Sequence, residues 1–295
     1  MFGILNVHKP QGITSRAAVN RVYRAVRPNK AGHAGTLDPL ARGVLLVPIG
    51  SASRLVPYLH LLPKRYVAKF AFGKSSPSDD SETEVTEHPH LPAPTRLQLE
   101  QACDAMRGQV MQRPPAYSAI KVDGKRSYKM ARHGDLQSLP ERPVQIHQIT
   151  MLRYEFPELE LEIDCGSGTY VRSIGRDLAQ GLGTEAIMTS LVRTAIGPFT
   201  VEDSISIDRL TPEAARAALQ PAARGIMHMP QLVLDDAEVT EIINGRMIPF
   251  RWSGPGCIND PQEIAALDQA GRLRGILYSR DGGLGPKRVF PESMD

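Results

Sequence analysis

Asp38 is the one carboxylate among the first 74 residues, and twelve Lys and Arg side chains share that stretch with it. Cationic neighbours hold a carboxylate ionised, which suits a nucleophile or a base better than an acid. Around it runs Gly32-His33-Ala34-Gly35-Thr36-Leu37-Asp38-Pro39-Leu40-Ala41-Arg42-Gly43, whose glycines let a backbone approach a bulky ligand. Asp before Pro is also an ordinary turn residue, so on spacing alone Asp38 either reacts or merely caps and bridges.

Other reaction signatures are missing. The chain has no GxxxxGK(S/T) phosphate loop, no GxGxxG, no HExxH, no GxSxG and no HxE with PCxxC, so neither a metal nor a nucleotide cofactor is expected. His88-Pro89-His90 has the only suggestive histidine spacing and reads as decoration of a polar loop. The three cysteines, Cys103, Cys165 and Cys257, are too scattered for a disulfide framework or a zinc ribbon and read as small buried hydrophobes in a reducing compartment. No apolar run approaches a membrane span and Met1–Pro10 is not a signal peptide, which predicts a soluble, cytoplasmic protein.

The net charge is only +3, from 35 Lys and Arg against 32 Asp and Glu in 295 residues, but it is segregated. Residues 1–74 carry an excess of eleven positive charges, twelve cations against Asp38. Ser75–Asp104 compensates with seven carboxylates against Arg96, and basicity returns in IKVDGKRSYKMAR. Such runs are often plain solvated faces, yet two of them point to a polyanionic partner. Arg16, Arg21, Arg24, Lys121, Lys125, Arg126 and Lys129 are the candidate contacts to such a partner.

The pattern predicts elements that would hold Asp38 between a basic helix and a buried strand. Ile4–Val7 reads as a strand, and HKPQG as a turn. Thr14 or Ser15 then caps a helix with the apolar stripe Val19, Val22, Tyr23, Val26. Gly32–Gly35 reads as a flexible turn and Val44–Ile49 as an apolar strand; Tyr66–Phe72 is a strand with Tyr66, Ala68, Phe70 and Phe72 on one face. Thr95 caps a helix stopped at Gly108. Val144–Tyr154 and Glu158–Cys165 are consecutive strands, Tyr170–Leu182 is a helix, and PEAARAALQ is another. The long basic connection 112–143 is the kind that carries function. A boundary at Met229-Pro230 divides residues 1–228 from a small β-rich module over 229–295, punctuated by NG, SGPG, AGR and DGG.

GHAGTLDPLARGVL resembles the catalytic-loop signature GHxGxLDPxAxGxL of the TruB family of tRNA pseudouridine synthases. The resemblance continues in ILNVHKPQGITS, in KRYVAKFAFG, in RPPAYSAIKVDGKRSYKMAR, which is similar to the family's thumb-loop region, and in CGSGTYVRSIGRDL. It spans most of residues 3–200, and residues 231–290 are similar to the PUA-like C-terminal module of bacterial members.

The resemblance implies an α+β pseudouridine-synthase fold: a large, mainly antiparallel mixed sheet flanked by helices, with a thumb-loop insertion at about 112–143 and the PUA-like module. It implies that the enzyme isomerises a uridine in the T-arm loop of tRNA, at position 55, with tRNA as partner; an isomerisation needs no cofactor in principle, and with nothing in the sequence suggesting an apolar interface a monomer is the default state. It makes Asp38 the catalytic aspartate, places His33 beside the target nucleotide, and has Tyr66 stack on the flipped uracil and assist loss of the C5 proton. Tyr170 would contact the base, Arg172 would pair with Asp38, Leu191 would pack against the base, and Arg54 falls where many members have Lys. Taken singly, Tyr66 and Tyr170 are half-buried aromatics, Arg172 could pair with Asp177, and Leu191 could be ordinary core.

The sequence departs from the family at FGKSSPSDD, where Pro77 replaces a common acid and only the final acid, Asp80, is kept. It departs again at Gly166-Ser167. Whether Asp38 adds to C6, adds to C1′ or deprotonates C2′ is open. Two other classes stay in view: a non-catalytic RNA-binding or tRNA-folding protein, and a nucleoside or glycoside hydrolase with Asp80 or Asp177 as its second carboxylate.

Overall fold

The computed structural model describes residues 1–118, 120–122, 125–127, 130, 139–250, 263–280 and 282–291. The chain divides into two compact units, one formed by Met1–Pro39, Gly43–Leu62 and Gly197–Asp295, the other by Leu40–Arg42 and Pro63–Ile196.

In the first unit the strand Gly3–Lys9 pairs antiparallel with Arg42–Ile49, from Gly3↔Ile49 to Lys9↔Gly43. It also pairs parallel with Ile205–Ser206 and antiparallel with Leu219–Gln220. The helix Ser15–Val26 is capped by Thr14, whose side chain accepts from the Ala17 amide. Its buried stripe of Ala18, Val19, Val22 and Val26 packs with Leu5, Val7, Leu45, Val47 and Ile207. Tyr23, expected in that stripe, is 39% exposed. At 100° per residue it falls at the margin of the arc defined by residues 18, 19, 22 and 26, and its ring lies under the Arg27 guanidinium at 5.1 Å.

Gly32–Gly35 is likewise not the flexible turn its glycines suggest. Bridges Ala31↔Ile49 and Ala34↔Leu46, with the Ala34 amide donating to the Leu46 carbonyl at 3.0 Å, lay this segment along the Arg42–Ile49 strand. Pairing to a strand removes the freedom that glycine confers on an isolated turn. The Ala-rich helix stops at Ala217, because Leu219–Gln220 leaves it to pair with Gly3–Lys9. The same unit holds a five-stranded sheet in the order Gln231–Val233, Ile264–Leu267, Leu273–Arg280, Gly283–Val289, Ile248–Pro249. Its core is Leu232, Leu234, Ile242, Ile248, Ile264, Ala266, Leu277 and Leu284, closed by the helix Asp236–Ile243 with an Asp235/Glu238 capping box.

In the second unit the strands run Ala186–Ile196, Lys64–Phe72, Glu158–Cys165, Arg142–Glu155, Gly108–Gln112, each antiparallel to its neighbour. Lys64–Phe72 alternates strictly between buried and more open positions, the mark of a strand with one packed face. The helices Arg96–Ala105 and Val171–Gly181 complete it; Thr95 caps the first in a capping box with Gln98. The predicted class holds: mainly antiparallel sheets with two parallel strand pairs among the described residues, few helices and a β-rich C-terminal part.

Candidate active site

The Asp38 loop is held by the turn that precedes the first helix. Lys9 is fully buried and its ammonium donates to the carbonyls of Pro10 (3.0 Å) and Ile13 (2.7 Å), closing the turn. That turn then grips the loop on both sides of Asp38. The buried Ser15 hydroxyl donates to the Leu37 carbonyl at 2.9 Å and accepts the Leu37 amide at 2.8 Å. The Gly12 amide donates to the Pro39 carbonyl at 2.8 Å. Leu37 is buried and Asp38 half-buried, so the residue before the carboxylate is anchored in apolar packing and by two hydrogen bonds. Gly35 (φ 87°) and Gly43 (φ 106°) take backbone angles at either end of the loop that a side chain would strain. His33 is half-buried on the segment bridged to Arg42–Ile49.

In the second unit Tyr66 is buried on the packed face of Lys64–Phe72, opposite Ile163 on one neighbouring strand and Arg193 on the other. Leu191, also buried, sits opposite Ala68 on that face. Directly opposed residues of an antiparallel pair project to the same side, so the ladder gathers Tyr66, Leu191 and Arg193. Arg193 is 1% exposed and was not singled out from the sequence. Burial, reinforced by the Arg193 charge, pushes the Lys64 ammonium down to about 8. Lys64 donates to the Ser167 hydroxyl at 2.9 Å, so the Gly166-Ser167 departure supplies an internal contact.

The helix Val171–Gly181 approaches the strand closely at Gly175, where an added Cβ would lie 2.2 Å from ring carbons of Phe70. Tyr170 stands at the cap of this helix in extended geometry and is gripped by the Gln112 side chain. Arg172, 4% exposed, donates from Nη1 to the Ser78 carbonyl (2.7 Å) and from Nη2 to the Tyr117 carbonyl (3.1 Å). It also faces the Asp80 carboxylate at 3.3 Å. Asp80 is itself buried, accepting from Ser78 Oγ at 2.6 Å and from the Glu82 amide at 2.9 Å. The final acid of FGKSSPSDD thus meets a cation.

Asp177 is not the partner of Arg172. It pairs with Arg176 at 2.7 Å, and Arg176 also holds Asp79 at 2.7 Å. Burial pushes both of these carboxyls up against the pull of Arg176. Asp80 and Asp177, the carboxylates a hydrolase would recruit, are therefore both committed to arginines. The Cys103 and Cys165 thiols are each pushed up to about 11 by burial, as small interior hydrophobes; Cys257 lies outside the described residues.

Arg16, Arg21 and Arg24 are exposed on the first helix, with Arg21 paired to Asp208 at 2.7 Å. The backbones of Lys121–Val122 and Lys125–Arg126 form a two-stranded ladder with Lys121 opposite Arg126, and Lys129 lies outside the described residues. Arg54 donates to the Val289 carbonyl and lies 4.8 Å over the Phe290 ring. Among the described residues no group of three or more His, Cys, Asp or Glu is placed to hold a metal ion, and no helix is long and apolar enough to cross a membrane.

Residues 23–171 match the family model described as TruB family pseudouridylate synthase (N terminal domain). The chain is 41% identical over 330 residues to a tRNA pseudouridine synthase B of Rhodopirellula baltica, covering 98% of this chain and 95% of the relative. It is 39% identical over 299 residues to the protein of that name in Ruegeria pomeroyi, covering 98% and 95%. Among solved structures, a chain of an H/ACA ribonucleoprotein bound to a substrate RNA superposes with a TM-score of 0.76 at 23% identity, over 99% of this chain and 86% of that one. That likeness is one of fold.

Proposed function

The chain belongs to the TruB family of pseudouridylate synthases, and from that premise we propose that it isomerises uridine to pseudouridine in tRNA, at position 55 of the T-arm loop, with Asp38 as its reacting carboxylate. The reaction breaks the N1–C1′ bond, turns the base and joins C5 to C1′, so no atom enters or leaves overall. It needs an ionised carboxylate near the sugar or C6, a wall that holds the detached uracil, and a base for the C5 proton. Addition to C6, addition to C1′ and deprotonation of C2′ all use the same ionised Asp38. Tyr66 and Leu191, gathered by one ladder, form the wall; Tyr66 also assists loss of the C5 proton. Tyr170 contacts the base, His33 lies beside the target nucleotide, and Arg172 is the cation assigned to Asp38.

A base stacked in an RNA loop must first be extruded, which costs a few kcal/mol, and phosphate contacts and shape supply the offsetting binding energy. The first-helix arginines and the basic residues of the 112–143 thumb region are assigned to that task, and Arg54 to substrate binding. Residues 1–228 act as the catalytic domain and 229–295 as an RNA-binding module, in a cytoplasmic monomer that needs no cofactor. The observation that carries the reading is the immobilised Leu37-Asp38-Pro39 segment, a carboxylate pinned on both flanks.

The experiment is a T-arm stem-loop whose only uridine, tritiated at C5, stands at position 55. Release of tritium there, and loss of release when the uridine is moved within the loop, is the expected result. Release independent of position, or no release at all, contradicts the assignment.

A further inference from the structure

Tyr170 sits just outside its helix, with extended angles (φ −97°, ψ 109°) and no side-chain cap; the helix holds only its carbonyl, through the Ile174 amide at 3.3 Å, and does not by itself fix the direction of the whole peptide. Gln112 does. Its carboxamide, 1% exposed, accepts the Tyr170 amide at 2.8 Å and donates to the Tyr170 carbonyl at 3.0 Å. A primary amide presents a donor and an acceptor in one plane, matched to both polar groups of a single residue.

Directly opposite Gln112 in the ladder is Arg142. Its guanidinium lies 5.2 Å over the Tyr170 ring and donates to the Gly168 carbonyl at 2.5 Å. The chain leaves this sheet after Gln112 and re-enters it at Arg142, so the two ends of the 113–141 segment grip the same tyrosine, one by its backbone and one by its ring. The first residues of that segment extend the grip. The Arg113 carbonyl accepts from Ser173 Oγ (3.1 Å) and Arg176 Nη2 (2.8 Å), and the Tyr117 carbonyl accepts from Arg172.

We infer that Gln112 is a positioning residue for pseudouridine formation: with Arg142 it sets the orientation of Tyr170 and ties it to the root of the 113–141 segment. The inference rests on the reading of Tyr170 as a contact to the base. Gln112 touches neither the substrate nor the reacting atoms in this account, so its loss acts on the rate after binding and not on affinity.

The test is a double-mutant cycle on the full chain with T-arm stem-loop RNA, measuring the single-turnover rate at saturating RNA and the Kd separately, with thermal melts to verify folding. Gln112→Leu, close in volume and without polar atoms, is expected to slow the rate by about ten- to a hundredfold and to leave Kd within about threefold. In the Tyr170→Ala background it adds no further slowing. A wild-type rate for Gln112→Leu beside a slow Tyr170→Ala overturns the inference, as do slowdowns that multiply in the double variant. A wild-type rate for Tyr170→Ala overturns the base-contact reading itself, and the inference with it. If Gln112→Leu fails to fold, Gln112→Glu keeps the acceptor for the Tyr170 amide and loses the donor to its carbonyl; a smaller slowing is expected, and an unchanged rate overturns the inference.

Discussion

The Ser15 hydroxyl satisfies both backbone polar groups of Leu37, donating to its carbonyl at 2.9 Å and accepting its amide at 2.8 Å. One side chain at the start of a helix thereby fixes the peptide next to Asp38. Ser15→Ala leaves a buried amide and carbonyl unpaired, which costs about 1–3 kcal/mol. Urea unfolding should show that loss, and the single-turnover rate should fall with it as the loop loosens. A variant as stable and as fast as wild type would show that the loop is held by something else.

Tyr66 is buried on the packed strand face opposite Arg193. Tyr66→Phe keeps the stacking ring and removes the hydroxyl, so product formation at saturating RNA should slow by about a hundredfold, the scale of general acid–base assistance, with affinity unchanged. An unaltered single-turnover rate would remove Tyr66 from the proton-transfer step.

Lys64 carries a pH signature. Its folded-state value is about 8, against 10.5 for the free group, chiefly because it is buried and secondarily because Arg193 repels it. Between these values the unfolded chain binds the extra proton, so the wild-type fold gains stability as pH rises from about 8 towards 10.5, by at most roughly 3 kcal/mol. The unfolding free energy of wild type relative to Lys64→Met, followed by urea melts across that range, should climb with pH. A flat difference would mean that Lys64 is not desolvated in the fold.

What could be read in the sequence was what local physics decides. Thr14 and Thr95 cap helices as expected, Glu158–Cys165 is a strand within the expected bounds, and the alternation from Tyr66 to Phe72 declares its buried face. Asp38 stood out by its isolation among cations. The residues that escaped notice are polar groups buried by distant partners. Lys9 looked like one more basic side chain, yet it closes the turn. Adjacent Thr14 and Ser15 are both capping types and only one can cap, a redundancy that hinted at the grip on Leu37. Gln112 and Arg193 gave no local signal, because what defines each is a strand or helix start far along the chain. Glycine content misled at Gly32–Gly35 for the same reason: strand pairing, invisible to a local reading, overrides the freedom of the residue type.

Asp38 is the centre of the account, and Asp38→Asn keeps its size and its neighbours while removing the charge. The most direct measurement is tritium release from a [5-³H]uridine T-arm stem-loop by wild type and Asp38→Asn side by side, with the RNA affinity of each measured in parallel. The account predicts release by wild type and none by the variant at nearly equal affinity. Release by Asp38→Asn within about tenfold of wild type would contradict it.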